Sequence, residues 1–117
     1  MTKMYAYSGC GSCRKASKWF EGKGLEVETV AIRETPPSED ELRRMLGIYK
    51  GELKKLFNVS GMDYRALDMK SKLPGMSEDE AIALLASNGN LIKRPFVLAG
   101  KSGLVGFKEA EFEALFG

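Results

Sequence analysis

The opening residues constrain the fold most, because they pass from a strand pattern to a helix pattern and back. Residues 3–8 form a short run with two tyrosines that is typical of a β-strand. The apolar side chains of Cys13, Ala16 and Phe20 then recur at helical spacing. Residues 25–32 are rich in valine and isoleucine, which favour strands. Together these segments predict a βαβ unit, in which the two strands run parallel and the crossover is right-handed.

The middle of the chain, about residues 38–90, carries helix signals. Ser38 and Ser77 each begin a Ser-Glu-Asp-Glu segment, which is the pattern of a capping box. In such a box the serine side chain caps the helix, and the glutamate three residues later bonds back to the serine N–H. Residues 58–63 contain Gly61 and predict a loop. The segment therefore predicts a helical insertion rather than further strands.

The end of the chain predicts two more strands and a helix. Phe96–Ala99 and residues 104–107 are short apolar runs, and residues 100–103 between them have the composition of a hairpin turn. Residues 108–116 predict an amphipathic helix. Its inward-facing side chains are predicted to be Ala110, Phe112, Leu115 and Phe116. The order β-α-β, helical insertion, β-β-α predicts an α/β fold with a four-stranded mixed sheet, in one domain over residues 1–117.

Charge and hydropathy exclude several classes of protein. The 18 Lys and Arg residues against 16 Asp and Glu leave a formal net charge of +2, without a basic block, so direct binding of DNA or RNA is not expected. No apolar run approaches the roughly 20 residues that a membrane helix needs. The first residues also lack the apolar stretch of a secretory signal. We therefore expect a cytoplasmic protein that does not associate with membranes.

The lack of histidine narrows the chemistry further. The chain has no histidine and two cysteines. Catalysis by Ser–His or Cys–His pairs is therefore excluded, as are zinc sites that contain histidine. Two cysteines cannot form a four-thiolate zinc site within one chain. We expect no metal site and no bound cofactor, which leaves the cysteines as the candidate reactive groups.

The two cysteines lie close together, because residues 10–13 read Cys-Gly-Ser-Cys where the first predicted strand passes into the first predicted helix. Cys10 is expected at the helix N-terminus, where unpaired N–H groups and the helix dipole stabilise an anion such as a thiolate. Arg14 and Lys15 add positive charge nearby. Cys13 falls in the first turn, where its sulfur can reach Cys10. This arrangement predicts a redox pair in which Cys10 is the more acidic and more exposed thiol.

Three other interpretations of the cysteine pair are open from the sequence. The pair could form a structural disulfide, supply half of a zinc site shared across a dimer, or consist of two ordinary small apolar residues. A disulfide across so short a loop restricts the unfolded chain little, and cytosolic proteins seldom use structural disulfides. The position between a strand and a helix argues against ordinary packing. The redox interpretation is therefore favoured.

A second candidate is the Lys-Arg-Pro segment of residues 93–95, directly before the strand at Phe96–Ala99. Pro95 is expected at the strand start, where a missing N–H does no harm, and its peptide bond can be cis or trans. Arg94 would then point across the end of the sheet, where it could hold an anion or stabilise a thiolate. The alternative interpretation of Arg94 is a solvated charge before a strand.

Several segments together resemble the arsenate reductase/Spx family. Residues 10–16 read Cys-Gly-Ser-Cys-Arg-Lys-Ala, residues 34–37 Glu-Thr-Pro-Pro, residues 92–96 Ile-Lys-Arg-Pro-Phe and residues 105–107 Val-Gly-Phe. The resemblance extends in order over essentially the whole chain. It implies a thioredoxin-like fold with a helical insertion.

The resemblance implies different roles in different branches of the family. Glutaredoxin-linked arsenate reductases use one cysteine at the position of Cys10 and bind the oxyanion with three arginines, one of which matches Arg94. Lysines within residues 54–59, and glycine and phenylalanine at residues 106–107, stand where the other arginines are expected. Spx is a redox-switched transcription regulator that binds the C-terminal domain of the RNA polymerase α subunit, and it shares the two-cysteine motif.

Residues 58–67 resemble a third, short group of arsenate-reductase-like proteins whose implied role is thiol reduction. We therefore expect a thiol–disulfide oxidoreductase in which Cys10 attacks, Cys13 resolves the mixed disulfide and Arg94 steadies the thiolate or an anionic substrate group. The expected reductant is glutaredoxin, thioredoxin or a small thiol such as glutathione. The alternative is a Spx-like regulator whose cysteine pair only senses oxidants and whose partner is the RNA polymerase α subunit.

Overall fold

One mixed β-sheet organises residues 2–117, which are the residues that this computed structural model describes. Its strands are β1 (Thr2–Ala6), β2 (Glu28–Ala31), β3 (Phe96–Ala99) and β4 (Ser102–Val105). They lie in the order β2-β1-β3-β4; β1 and β2 run parallel, and the other neighbours run antiparallel. The predicted α/β fold with a four-stranded mixed sheet is confirmed.

Six α-helices surround this sheet within the described residues. They are α1 (Gly11–Lys23), α2 (Glu39–Ile48), α3 (Met62–Ala66), α4 (Met69–Lys72), α5 (Glu78–Ser87) and α6 (Glu109–Phe116). Short 3-10 helices occupy Leu53–Leu56, Leu73–Gly75 and Gly89–Leu91. The helices α2 to α5 form the predicted insertion between β2 and β3. No helix in the described part of the chain is both long and apolar enough to cross a membrane.

Local sequence signals explain how α2 and α5 begin. Ser38 and Ser77 accept hydrogen bonds from the N–H groups of Glu41 and Glu80, and both glutamate side chains bond back to the serine N–H. Both predicted capping boxes are therefore present. Each box satisfies N–H groups that the first helical turn leaves without backbone partners.

The first two strands are shorter than predicted because the neighbouring turns use their end residues. The strand expected over residues 3–8 ends at Ala6, since Tyr7 begins the turn into α1. The strand expected over residues 25–32 begins only at Glu28. Leu25 is not available to it, because its N–H bonds to the last turn of α1 at Phe20, next to a left-handed Gly24.

The hairpin turn is tighter than predicted. β4 begins at Ser102, so the turn contains only Gly100 and Lys101 between the strands. The strand ends at Val105 because Gly106 has a positive φ of 77°. The segment expected as a loop at residues 58–63 is also shorter, since α3 begins at Met62.

Two of the four side chains predicted to face inward on the last helix are exposed. Phe112 is fully buried and Phe116 is half-buried, because residues four apart share one face of a helix. Ala110 and Leu115 lie off that face and are exposed. The prediction for these two residues was wrong.

Alternating side chains of the central strands divide the core between the two faces of the sheet. On one face, Tyr5, Phe96 and Leu98 pack against the helical insertion. The buried side chains on the other face are Met4, Ala6, Cys13, Ala16, Phe20, Val97 and Phe112. The helices α1 and α6 therefore cover this second face, and Cys13 belongs to the core beneath them.

Candidate functional site

A tight turn at the end of β1 places Cys10 at the N-terminus of α1. The backbone N–H of Cys10 donates to the carbonyl of Tyr7 at 3.0 Å, and Cys10 is the N-cap residue of the helix. Gly9 lies against the Tyr7 ring, where a Cβ atom would stand 2.6 Å from a ring carbon. Only glycine fits this approach without moving the ring. The predicted position of Cys10 before the helix is confirmed.

The sulfur of Cys10 lies among hydrogen-bond donors. It accepts a bond from the backbone N–H of Cys13, at a distance of 3.4 Å. Burial acts to raise the pKa of Cys10, but hydrogen bonds from the thiol and the N–H of Cys13 act against it. The charge of Arg94 and the N–H of Ser12 act in the same direction, so the pKa of Cys10 lies below its ordinary value.

Cys13 has the opposite character. Burial, together with the neighbouring Cys10 and only partly offset by the N–H of Tyr7 and the charge of Arg94, raises its pKa to about 12. Its side chain is 3% exposed, whereas that of Cys10 is half-buried. Both cysteines are free thiols in the structure. One accessible, acidified thiol therefore stands next to one buried, protonated thiol.

We expect limited alkylation at neutral pH to label Cys10 before Cys13. The alkylating reagent reacts with the thiolate, and Cys10 has both the lower pKa and the greater access. Peptide mapping after substoichiometric iodoacetamide measures the order. Preferential labelling of Cys13 would contradict this assignment of the two thiols.

Arg94 is half-buried beside the Cys10 thiol, and its charge helps to lower the pKa of that thiol. Its Cζ atom lies 5.4 Å from the centre of the Tyr7 ring. Among the described residues, its buried Nη1 atom has no hydrogen-bond partner. This position agrees with an arginine at the end of the sheet rather than with a solvated charge. Pro95 directly precedes β3, as predicted, and the Arg94–Pro95 peptide bond is cis.

Tyr7 connects Arg94 to two residues that the sequence analysis did not single out. The guanidinium of Arg33 stacks on the Tyr7 ring, with its Cζ atom 3.6 Å from the ring centre. The Nε atom of Arg33 donates to the side-chain oxygen of Asn90 at 2.7 Å. Arg33 directly precedes the Glu-Thr-Pro-Pro segment, which was the only signal near it. A contact between side chains 26 positions apart leaves no pattern in the sequence.

A cleft of about 820 Å³ adjoins the N-terminal turn of α1 at Ser12. Four lysines line it: Lys54, Lys55, Lys93 and Lys108. Two glutamates, Glu52 and Glu111, also line it. From the sequence, the lysines within residues 54–59 and the Lys-Arg-Pro segment of residues 93–95 were separate features. Their position beside one another and beside Lys108 was not predictable, because these residues come from three different parts of the chain.

The described residues form no side-chain cluster of the kind that binds metal ions. They contain no group of three or more His, Cys, Asp or Glu residues that could hold a metal ion.

A sheet of this topology, with a cysteine at the N-cap of the helix after its central strand β1, defines a thioredoxin-like α/β protein. A model described as the ArsC family matches residues 5–115. The chain belongs to the ArsC family.

Relatives of this chain carry several names. It is 52% identical over 109 residues to a Bacillus subtilis protein named Uncharacterized protein YusI, and the match covers 93% of this chain and 92% of that protein. It is 27% identical to the Global transcriptional regulator Spx of Streptococcus mutans, over 97% of this chain and 82% of the regulator. The structure of a possible arsenate reductase from Streptococcus mutans matches with a TM-score of 0.91 and 38% identity, over 99% of this chain and 98% of that chain.

Proposed function

We propose that this protein is a thiol–disulfide oxidoreductase of the ArsC family, with Cys10 as the attacking thiol and Cys13 as the resolving thiol. The observation that carries the proposal is the pairing of an acidified N-cap thiol with a buried thiol one turn away. A structural pair would not need one acidified and accessible member. Arg94 holds the thiolate form of Cys10 through its positive charge.

The reaction proceeds in two exchanges. The Cys10 thiolate attacks one sulfur of a disulfide; the substrate S–S bond breaks, one half leaves as a thiolate, and the other half stays bonded to Cys10. Cys13 then loses its proton to solvent and attacks the Cys10 sulfur, which releases the second half as a thiolate. The substrate gains two electrons, and the protein is oxidised to the Cys10–Cys13 disulfide.

Formation of the mixed disulfide prepares the second exchange. In the reduced protein, Cys10 contributes to the raised pKa of Cys13 through its hydrogen bond and its charge. Once Cys10 is bonded to the substrate it carries no charge, so this contribution disappears and Cys13 deprotonates more readily. Burial remains the larger cause of the raised pKa of Cys13, so the mixed disulfide lowers this pKa only in part.

The cycle closes when a reduced thiol returns two electrons to the Cys10–Cys13 disulfide. Glutaredoxin, thioredoxin and a small thiol such as glutathione have the required chemistry, and the reducing cytoplasm keeps them available. The protein itself needs no bound cofactor for either exchange.

The Cys13→Ser variant tests the proposal. We expect it to form a stable mixed disulfide with bis(2-hydroxyethyl) disulfide, with one adduct per chain at Cys10 by mass spectrometry. The matched Cys10→Ser variant is expected to form almost none at neutral pH, because Cys13 is buried and protonated. Comparable adduct formation in both variants, or none in either, would overturn the proposal.

A second candidate function is a Spx-like regulator, favoured by the 27% identity to Spx over 97% of this chain. In this case the cysteine pair senses oxidants, and the partner is the C-terminal domain of the RNA polymerase α subunit. Binding of that purified domain, measured with the reduced and the oxidised protein, tests this candidate. Redox-dependent binding without multiple turnover of a disulfide would favour the regulator over the enzyme.

We expect arsenate reduction to be weak or absent. Of the arginines expected for an oxyanion, only Arg94 is present, and the neighbouring cleft offers lysines instead. Lysine is a point charge without the planar, bidentate fork of arginine. A glutaredoxin-coupled assay with arsenate as the varied substrate measures this activity. Efficient, saturable turnover would contradict the expectation.

A further inference from the structure

We propose that the lysine-lined cleft is a binding subsite for the negatively charged half of a small disulfide, so that Cys10 reacts preferentially with anionic disulfides. This inference rests on the proposed oxidoreductase function and adds the class of its substrate. The cleft is defined by Lys54, Lys55, Lys93 and Lys108. Nothing in the exchange chemistry itself requires a charged substrate, so the preference would come from the cleft.

Backbone contacts place the segments that carry Lys54 and Lys93 side by side. The N–H of Lys93 donates to the carbonyl of Leu56 at 2.8 Å, and Phe57 pairs with Ile92 in an isolated bridge. The short 3-10 helix that carries Lys54 therefore runs beside the segment that leads to Arg94. The cleft lysines and the candidate arginine share one backbone framework.

The cleft is also connected to the thiol. Ser12 lines the cleft and lies in the first turn of α1, two residues after Cys10, the N-cap residue of that helix. On the other side, the N–H of Gly106 donates to the carbonyl of Pro95 at 2.9 Å, and Gly106 lines the cleft. A disulfide whose reacting sulfur stands at Cys10 can therefore extend one of its halves past Ser12 into the cleft.

The charges in the cleft favour an anion. No described carboxylate lies within ion-pair distance of the four lysines, whereas Lys3, Lys23 and Arg43 all have such partners. Glu52 and Glu111 reduce the excess of positive charge but do not cancel it, since four lysines face two glutamates.

The size and the apolar parts of the cleft favour a small molecule over an inorganic ion. Its volume of about 820 Å³ is in the range of sites that hold small organic ligands. Leu53, Phe57, Val59 and Phe107 supply apolar surface between the lysines. An aliphatic chain with a terminal carboxylate matches both the apolar surface and the lysines, because a lysine ammonium group can donate to a carboxylate in many orientations.

Three disulfides of similar size test the proposal: dithiodipropionate is anionic, bis(2-hydroxyethyl) disulfide is neutral and cystamine is cationic. Their rate constants with Cys10 are measured in the Cys13→Ser background, which isolates the first exchange. The Lys54→Gln/Lys93→Gln variant is compared with a charge-matched control, Lys18→Gln/Lys72→Gln. Lys18 and Lys72 are exposed and lie outside the cleft.

We expect the ratio of the anionic to the neutral rate constant to fall about tenfold in the cleft variant at low salt, and the cationic rate constant to rise. Ratios between variants cancel the intrinsic reactivities of the probes. The control is expected to change the ratio less than twofold. The effect should shrink as salt screens the charges.

Each other outcome is decisive. If both double variants change the ratio of rate constants equally, the preference arises from the net charge of the protein, and the subsite proposal is overturned. A parallel fall of all three rates in the cleft variant would also overturn it, because that pattern reports a damaged thiol site. If Cys10 fails to react even with the neutral probe in the parent protein, the proposed function fails first and the subsite fails with it.

Discussion

Replacing Gly89 with alanine is expected to lower the free energy of unfolding by about 3 kcal/mol or more. Gly89 is buried at the start of a 3-10 helix, against the end of β2. A Cβ atom there would overlap the carbonyl oxygen of Ile32 and would lie 2.8 Å from its carbonyl carbon. Both neighbours are backbone atoms, so neither can rotate away, and two segments must separate to make room.

Gly22→Ala is the matched control for this prediction. Gly22 is exposed near the end of α1, and nothing stands within 4 Å of an added Cβ. Alanine favours the helix there, and a gain of about 0.5–1 kcal/mol is expected. Urea unfolding followed by circular dichroism measures both variants. Similar midpoints for Gly89→Ala and the parent protein would show that the packing of Gly89 is not as tight as described.

The parts of the fold that follow from local rules were predictable from the sequence. The boxes at Ser38 and Ser77 involve residues three apart, and both form. The βαβ unit and the hairpin follow from short-range periodicity, and the order of strands in the sheet agrees with them. The predicted strand boundaries are wrong where an end residue bonds to a neighbouring turn instead of to the sheet. At Leu25, for example, the N–H donates to the carbonyl of Phe20 in α1, so the residue does not join β2.

The candidate site was predictable only in part. The helix N-terminus fixes the environment of Cys10, and this is a local property. The stack of Arg33 on Tyr7 and its bond to Asn90 join three distant segments, so no spacing rule detects them. The clash that makes Gly89 a packing residue is equally non-local, because it involves the backbone of Ile32 and Arg33.

Arg94→Ala is expected to slow the reaction of Cys10 with a neutral disulfide severalfold near neutral pH and to make it faster than in the parent protein at high pH. The charge of Arg94 helps to hold the pKa of Cys10 below its ordinary value. Without it the pKa rises, and the thiolate fraction at neutral pH falls. At a pH above both pKa values, Cys10 is a thiolate in either protein, and the more basic thiolate of the variant is the better nucleophile. A neutral probe removes any direct attraction between Arg94 and the substrate.

The loss of rate is smaller than the loss of thiolate. A thiolate of higher pKa is a better nucleophile, with a Brønsted coefficient of about 0.4–0.5, so the rate constant falls roughly as the square root of the thiolate fraction. The two quantities must therefore be measured separately. Ultraviolet absorbance gives the titration curve of Cys10 in the Cys13→Ser background, and stopped-flow mixing gives the rate constant.

Arg94→Lys distinguishes the charge of Arg94 from its shape. If the charge alone stabilises the thiolate, lysine restores most of the low pKa of Cys10, and alanine does not. Stability is not expected to fall in Arg94→Ala, because the buried Nη1 atom has no partner among the described residues, and burying an unpaired polar group costs about 1–3 kcal/mol. A shift in the titration curve with an unchanged unfolding midpoint is thus the signature of an arginine that acts on the thiol. Identical titration curves for all three proteins would remove Arg94 from the site and leave the N-terminus of α1 and Cys13 as the groups that acidify Cys10.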